Sequence, residues 1–384
     1  MDILNINSLL SEDERILKVS TRKFVDEKIL PNIAAHFDEG TFPNELPELL
    51  GKNGFLGSFL PEEYGGQAST YAEYGIICQE LERGDSGVRS FCSVQSSLVI
   101  FPIWKFGSEE QKKKWLPLLA SGEKIGCFGL TEPDFGSNPA GMITKAKKDG
   151  DSYILNGAKR WITNANIADI CVVWAKEENG EVAGFLVEKG TPGLKQIEIE
   201  RKFSLRASHT GELIFEDCKI PASNKLPLAK GLKGPLLCLD SARFGIIWGA
   251  LGAAGACYDC AVDYAKERVQ FSKPIAAYQL VQSKLVWMLT EITKGQLLAL
   301  QIARQRDQGL GKFPQVSMGK MNNVSIALQI ARTARDILGA SGITTEYPVI
   351  RHMLNLESVN TYEGTEDIHR LIIGKEITGI AAFE

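Results

Sequence analysis

The sequence predicts an α+β protein in three parts: a helical N-terminal domain (1–125), a central antiparallel β domain (126–228) and a four-helix bundle (229–384). Three observations predict it. Apolar residues recur at three- and four-residue spacing up to about residue 125. Short β-branched and aromatic runs separated by Gly, Asp and Asn turns follow. From Leu236 the helical spacing returns in much longer pieces.

In the first part, Leu10–Ile29, Phe42–Asn53, Tyr71–Glu82 and Ser96–Phe106 carry helical spacing, and Glu109–Leu118 adds a short helix. Pro31, Pro43, the turn Pro61–Gly66 and Gly107 separate them. In the second part, Gly126–Leu130, Ser152–Leu155, Ile170–Trp174, Gly184–Val187 and Glu212–Phe215 read as strands. Asp217–Ser223 leads out, and Ala229–Pro235 reads as a linker. In the third, Ala242–Phe271, Tyr278–Gln308, Gln315–Leu338 and the terminal run Arg370–Ile380 predict four antiparallel helices. Gly249, Gly252 and Gly255 lie inside the first of these, so they read as close helix packing; a dinucleotide fingerprint would follow a strand.

With 44% hydrophobic residues over 384 positions, the chain can bury cores for two or three domains. A net charge of −4 without a basic stripe argues against a nucleic-acid partner. No stretch reaches about 18 uninterrupted apolar residues, so no membrane insertion is expected. Met1–Asn5 has no signal-peptide character, which points to the cytoplasm, or to the mitochondrial matrix if a leader has been removed. Eight scattered cysteines suit a reducing compartment, and Cys257 and Cys260 read as helix packing. His36, His209, His352 and His369 show no metal-ligand spacing, so no metal site is expected.

The chemistry centres on Asn360–His369. Glu363 precedes Gly364 at the entrance of a helix that Thr365 or Asp367 would cap. Such a turn can hold a carboxylate against a substrate, although alone it reads more simply as an acidic loop. Phe128–Ser137 ends a strand with hydroxyls and a tight turn, and Trp161–Asn164 sets a flat aromatic beside a hydroxyl. Arg268 closes the first long helix, Gln279 lies just beyond, and Leu236–Arg243 opens it with Asp240 and Arg243. Taken singly, each has an ordinary structural explanation.

Together and in this order, Thr131–Pro133, Trp161–Thr163 and Tyr362–Thr365 resemble the acyl-CoA dehydrogenase family of flavin enzymes, over essentially the whole chain. Leu81–Ser90, Ser93–Ser97, Lys202–Ser208, Asn360–Thr365 and Ile377–Ile380 are similar to the glutaryl-CoA branch of that family. The resemblance implies FAD-dependent oxidation of glutaryl-CoA at its α and β carbons, with decarboxylation to crotonyl-CoA and CO2. Glu363 would be the base and flavin N5 the hydride acceptor. The Glu363 backbone N–H and a ribityl hydroxyl would hold the thioester oxygen.

Arg89 would bind the γ-carboxylate, assisted by Ser90 and Ser93, with Glu82 positioning it or shuttling a proton. The alternative for Arg89 is a surface salt bridge with Glu82 and Asp85. Tyr362 and Glu82 match the decarboxylating type. Ser137, Leu236, Asp240, Arg243 and Gly364 match positions lining the acyl-CoA channel. Phe128, Gly129, Leu130, Thr131, Ser137, Trp161, Ile162 and Thr163 match flavin contacts, as do Thr365, Glu366 and Asp367.

Arg268, Phe271, Gln279, Asp336, Ile337, Leu338, Gly339 and Ala340 match positions that a neighbouring subunit gives to FAD, so a homotetramer is implied. An electron-transfer flavoprotein is the implied acceptor. The chain departs from the family pattern at Asn138, Ser272, Ala340-Ser341 and Glu366. A short-chain acyl-CoA dehydrogenase or oxidase, and a non-decarboxylating glutaryl-CoA dehydrogenase, are the alternative activities. A catalytically dead flavoprotein scaffold fits less well, because Arg89, Thr131, Trp161 and Glu363 are all retained.

Overall fold

The computed structural model describes residues 2–382, so Met1 and residues 383–384, the outer ends of the expected terminal domains, lie outside the described residues. Helix α1 (Glu12–Phe24) starts with a capping box in which Ser11 Oγ accepts from the Glu14 N–H at 3.2 Å. Glu14 Oε2 accepts from the Ser11 N–H at 2.8 Å in return. A π-helical turn, Val25–Ile29, completes the expected first helix. Helices α2 (Ile33–Glu39), α3 (Leu46–Lys52) and α4 (Tyr71–Gly84) follow. Only Leu46–Lys52 of the expected Phe42–Asn53 helix is α-helical.

Helix α5 (Ser86–Ser93) runs through a π-helical stretch, Val94–Ile100, into α6 (Phe101–Phe106). The expected helix therefore starts ten residues earlier than Ser96. Its first turns carry Ser86, Arg89, Ser90 and Ser93, which are buried but polar, so hydrophobic periodicity does not register them. The Asp85 carboxylate caps the helix, accepting from the Gly87 N–H at 2.6 Å. Helix α7 (Glu109–Ala120) closes this part.

The sheet comprises β1 (Gly126–Gly129), β2 (Lys145–Asp149), β3 (Ser152–Thr163), β4 (Ile170–Lys176), β5 (Val182–Glu188), β6 (Leu194–Glu198) and β7 (Thr210–Pro221). Its order is β1-β4-β2-β3-β7-β6, with β5 pairing β4. Most pairs are antiparallel, as expected, but β4 pairs in parallel with β1 and at one position with β2. Strands β2 and β6 were not expected. Their Lys-rich and mixed-polarity residues are largely exposed, with Ala146 the one buried side chain of β2. Strand β4 is buried on both faces, the pattern of a central strand. Ile170, Val172 and Trp174 pack on the N-terminal helices, whereas Cys171, Val173 and Ala175 pack within the β domain.

The C-terminal part contains α8 (Lys233–Glu267), a hairpin of β8 (Val269–Gln270) and β9 (Lys273–Pro274), α9 (Gln279–Asp307), α10 (Phe313–Ile337), α11 (Pro348–Thr361) and α12 (Glu366–Thr378). The expected linker ends at Leu232, and Gly234 and Pro235 sit in the first turn of α8. Helix α8 is long and apolar enough to cross a membrane by composition, yet here most of it is buried among the other helices. The fourth bundle member is α11, not the terminal helix, which instead packs on α10.

Sequence periodicity misses α11 because its buried face includes Arg351, His352 and Asn355. Two of these dock on Asp85: Arg351 pairs with its carboxylate, and Asn355 Nδ2 donates to Asp85 Oδ2 at 3.0 Å. Arg351 Nη1 also donates to the Gly84 carbonyl at 2.8 Å. The α4–α5 junction is thereby fixed to the bundle.

The glycines of α8 differ in what they do. A Cβ on Gly252 would stand 1.9 Å from the Gln79 carbonyl oxygen, whereas one on Gly255 meets nothing within 4 Å. Gly255 therefore has no close-packing role. Gly252→Ala is expected to push α4 from α8 and cost about 1–3 kcal/mol. Gly255→Ala should hold or raise stability by up to about 1 kcal/mol through helix propensity. Thermal unfolding of the two variants checks both expectations.

Candidate active site

Three helices converge on the turn between α11 and α12. Tyr362 ends α11, and Thr365 caps α12 by accepting from the Ile368 N–H at 3.3 Å. Between them Glu363 has φ 53° and Gly364 φ 94°. A left-handed conformation at a glutamate costs about 1–3 kcal/mol, the kind of strain found at functional turns. Gly364 is required on two counts, its φ and the His369 ring, whose Nε2 would lie 2.9 Å from an added Cβ.

The Glu363 backbone carbonyl accepts from Arg243 Nε at 2.7 Å. Its side-chain Oε2 is sealed from solvent and has no hydrogen-bond partner among the described residues. Burial pushes the Glu363 pKa up to about 7, against the pull of Arg243, Arg89 and Lys320. A half-buried glutamate with one sealed, unpartnered oxygen and a pKa near neutrality is equipped to accept a proton.

Arg89, on α5, is buried beside this turn. Its Nε donates to Glu82 Oε2 at 2.5 Å, and Nη2 donates to the Tyr362 hydroxyl. Ser86 Oγ donates to the other Glu82 oxygen at 2.8 Å. Both charged side chains are at most 1% exposed, which removes the surface salt bridge. Asp85 also belongs to Arg351 instead. Burial raises the Glu82 pKa, with Arg89 and Ser86 opposing it.

The pair fits because of Gly249. A Cβ there would meet Glu82 Oε2 at 2.1 Å and Arg89 Nε at 3.0 Å. Ser90 and Ser93 are also buried; among the described residues Ser93 Oγ has no partner, and it lies towards Gly245, near Cys78 and Tyr74.

A second group of residues gathers at one end of the sheet. Phe128, Gly129 and Leu130 are buried, and the Thr131 carbonyl accepts from the Arg160 N–H at 2.9 Å, which brings Thr131 beside Trp161. A register shift between Lys159 and Ile162 places Trp161 at φ 62° with 57% of its surface exposed. Thr163 is half-buried and Ile162 buried, while Ser137 is exposed. Behind this edge, buried Lys159 Nζ donates to Glu132 at 2.8 Å and to the Leu130 carbonyl at 3.1 Å. A strained, exposed indole on a rigid edge offers a flat surface for a planar ring.

The remaining expected positions divide. Leu236 is half-buried on α8, and Asp240 is ion-paired with Arg306. Glu366 and exposed Asp367 both lie near Arg370, so the charge of Glu366 is compensated one turn on. Arg268 and Gln279 are exposed, and Phe271 stands 90% exposed at the tip of the β8–β9 hairpin, whose packing is on α8. Ser272 in that tip has φ 68°, a conformation that glycine adopts without strain. Asp336 pairs with Lys284, Gly339 and Ala340 are exposed, but Ile337 and Leu338 point into the bundle core.

Lys320 was not expected at the site. It lies on the buried stripe of α10 with Val316, Asn323, Val324 and Ala327, and that position in the stripe is the sequence signal.

Models of the acyl-CoA dehydrogenase N-terminal, middle and C-terminal domains match residues 11–123, 127–218 and 229–378. The chain belongs to the acyl-CoA dehydrogenase family. It is an oxidoreductase of that family, and the three acyl-CoA dehydrogenase domains coincide with its helical, β and helical parts.

Among acyl-CoA dehydrogenases of known structure, a glutaryl-CoA dehydrogenase from Mycobacterium smegmatis in complex with FADH2 is 52% identical. The match covers 100% of this chain and 98% of that one, with a TM-score of 0.98. Butyryl-CoA dehydrogenase from Megasphaera elsdenii is 34% identical, covering 96% of this chain and 98% of that one, with a TM-score of 0.92. The human mitochondrial short-chain specific acyl-CoA dehydrogenase is 39% identical over 95% of this chain and 90% of its own length.

Proposed function

We propose that this acyl-CoA dehydrogenase oxidises glutaryl-CoA and decarboxylates it to crotonyl-CoA, with FAD as cofactor. The observation that carries the substrate is Arg89, a buried guanidinium beside the candidate base. Its hydrogen bonds use Nε and Nη2, so among the described residues Nη1 has no partner. A γ-carboxylate meets that remaining donor with a charged acceptor; an apolar acyl tail does not.

Glu363 takes the α proton, and its backbone N–H supports the thioester oxygen as enolate charge develops. Bound FAD supplies the acceptor for the hydride that leaves the β carbon. Exposed Trp161, with Phe128–Thr131 beside it, fits the flat ring of that cofactor. Loss of CO2 from the γ carbon then leaves a conjugated dienolate. Its protonation by the Glu363 carboxylic acid, beside Tyr362, yields crotonyl-CoA. Burial keeps Glu363 near neutrality, where it can both take and return a proton.

A homotetramer is supported by the exposed Phe271, Leu280 and Val286 around the β8–β9 hairpin and α9. In that assembly a neighbouring subunit would complete the flavin site. An electron-transfer flavoprotein is the acceptor we infer.

A second reading, a short-chain acyl-CoA dehydrogenase, is favoured by one fact: Glu82 already neutralises Arg89. Carboxyl-labelled glutaryl-CoA and an artificial electron acceptor separate the two readings. Labelled CO2 equal to dye reduced is the expected result. Dye reduction without CO2 means a non-decarboxylating enzyme, and turnover of butyryl-CoA alone supports the short-chain reading.

A further inference from the structure

Lys320 is fully buried on α10, where a lysine ordinarily requires a carboxylate partner. Here its hydrogen bonds among the described residues go to two backbone carbonyls. Nζ donates to Gly364 at 2.8 Å and to Asn360 at 3.3 Å. These carbonyls bracket Glu363, whose own carbonyl is held by Arg243. The Asn360 carbonyl belongs to the last turn of α11, where partnerless carbonyls favour a cation. Two cations thus grip the backbone of the turn while Glu363 Oε2 stays free. That division has chemical sense: a cation bonded to the carboxylate would occupy the oxygen needed for the proton.

We propose that Lys320 is a positioning residue for Glu363, clamping the Asn360–Gly364 turn through two carbonyls and stabilising the ionised base through space. The proposal rests on the reading of Glu363 as base. Burial pushes the Lys320 pKa down to about 7, so it and Glu363 titrate together, and a protonated Lys320 favours an ionised Glu363. The other groups facing Lys320 are Arg243 from α8, Arg89 from α5, and Glu366 and His369 from α12. Burial holds His369 down at about 3, so it stays neutral near pH 7.

The test compares full-length holoenzyme carrying Lys320→Met or Lys320→Gln with wild type, as kcat, KM and thermal midpoint across neutral pH. For Lys320→Met, kcat should fall about tenfold or more through misplacement of the turn. KM should change much less, and the ascending limb of the pH profile should move to higher pH. Lys320→Gln keeps donors for the carbonyls without the charge, so it should recover part of kcat and keep the displaced limb. It also carries the comparison if the Met variant does not fold.

In a Glu363→Gln background, Lys320→Met should cost nothing further. A lower thermal midpoint with wild-type kcat and pH limb would overturn the proposal, as would an additive loss in the double variant. Activity surviving in Glu363→Gln alone would instead overturn the base assignment itself.

Discussion

Glu363→Gln is expected to lower turnover of glutaryl-CoA by about 10²–10⁴-fold, the range for loss of a general base. The amide keeps the shape of the side chain and loses only the basic oxygen. In the wild type, activity should rise with pH and level off above about 7, where the buried carboxyl is ionised. Stability should run the other way. The folded carboxyl titrates near 7 against a model value of 4.5, so the folded state holds a proton that the unfolded chain has already released. The stabilisation is present below the unfolded pKa and is lost as pH rises through the folded one. Relative to Glu363→Gln, the wild type should lose on the order of 3 kcal/mol across that window. Parallel activity and denaturation profiles check both halves: a pH-independent stability difference would remove the buried-base assignment.

Arg89→Met is expected to reduce kcat/KM for glutaryl-CoA by about 10²–10³-fold, as when one partner of a buried charge pair is lost. Activity on butyryl-CoA should hold or rise. Removing the guanidinium also strands Glu82 in the interior, at a cost of about 3–5 kcal/mol. That instability would confuse a single variant, so the double variant Arg89→Met/Glu82→Gln is the cleaner measurement. It should recover stability without recovering glutaryl-CoA turnover. An unchanged ratio of glutaryl-CoA to butyryl-CoA activity in the double variant would remove Arg89 from substrate recognition.

The helical, β, helical order was legible because it rests on local periodicity. It failed where polar side chains go inward. Ser86–Ser93 lost its helical signature to Arg89 and its serines, and α11 lost its own to Arg351, His352 and Asn355. These are the segments that build the site. At the other extreme, β2 escaped notice because its Lys residues face solvent and only Ala146 is buried. The Ile337-Leu338 pair shows what position in the chain does not tell: both side chains fill the core.

By itself the sequence determined the three-part order and the Glu363 turn, since each is carried by local pattern, whereas Thr131 comes beside Trp161 only through the sheet. Tertiary structure alone decided which charges are buried. Glu82 and Arg89, seven residues apart, could equally pair in solvent; they are interior because α8 passes over them at Gly249. Asp85, between them, is drawn away by Arg351 from a helix distant in sequence. Lys320 likewise acquires its role from carbonyls that α11 and α12 bring to it. Burial sets the electrostatics of such groups, and burial depends on which distant element lies opposite.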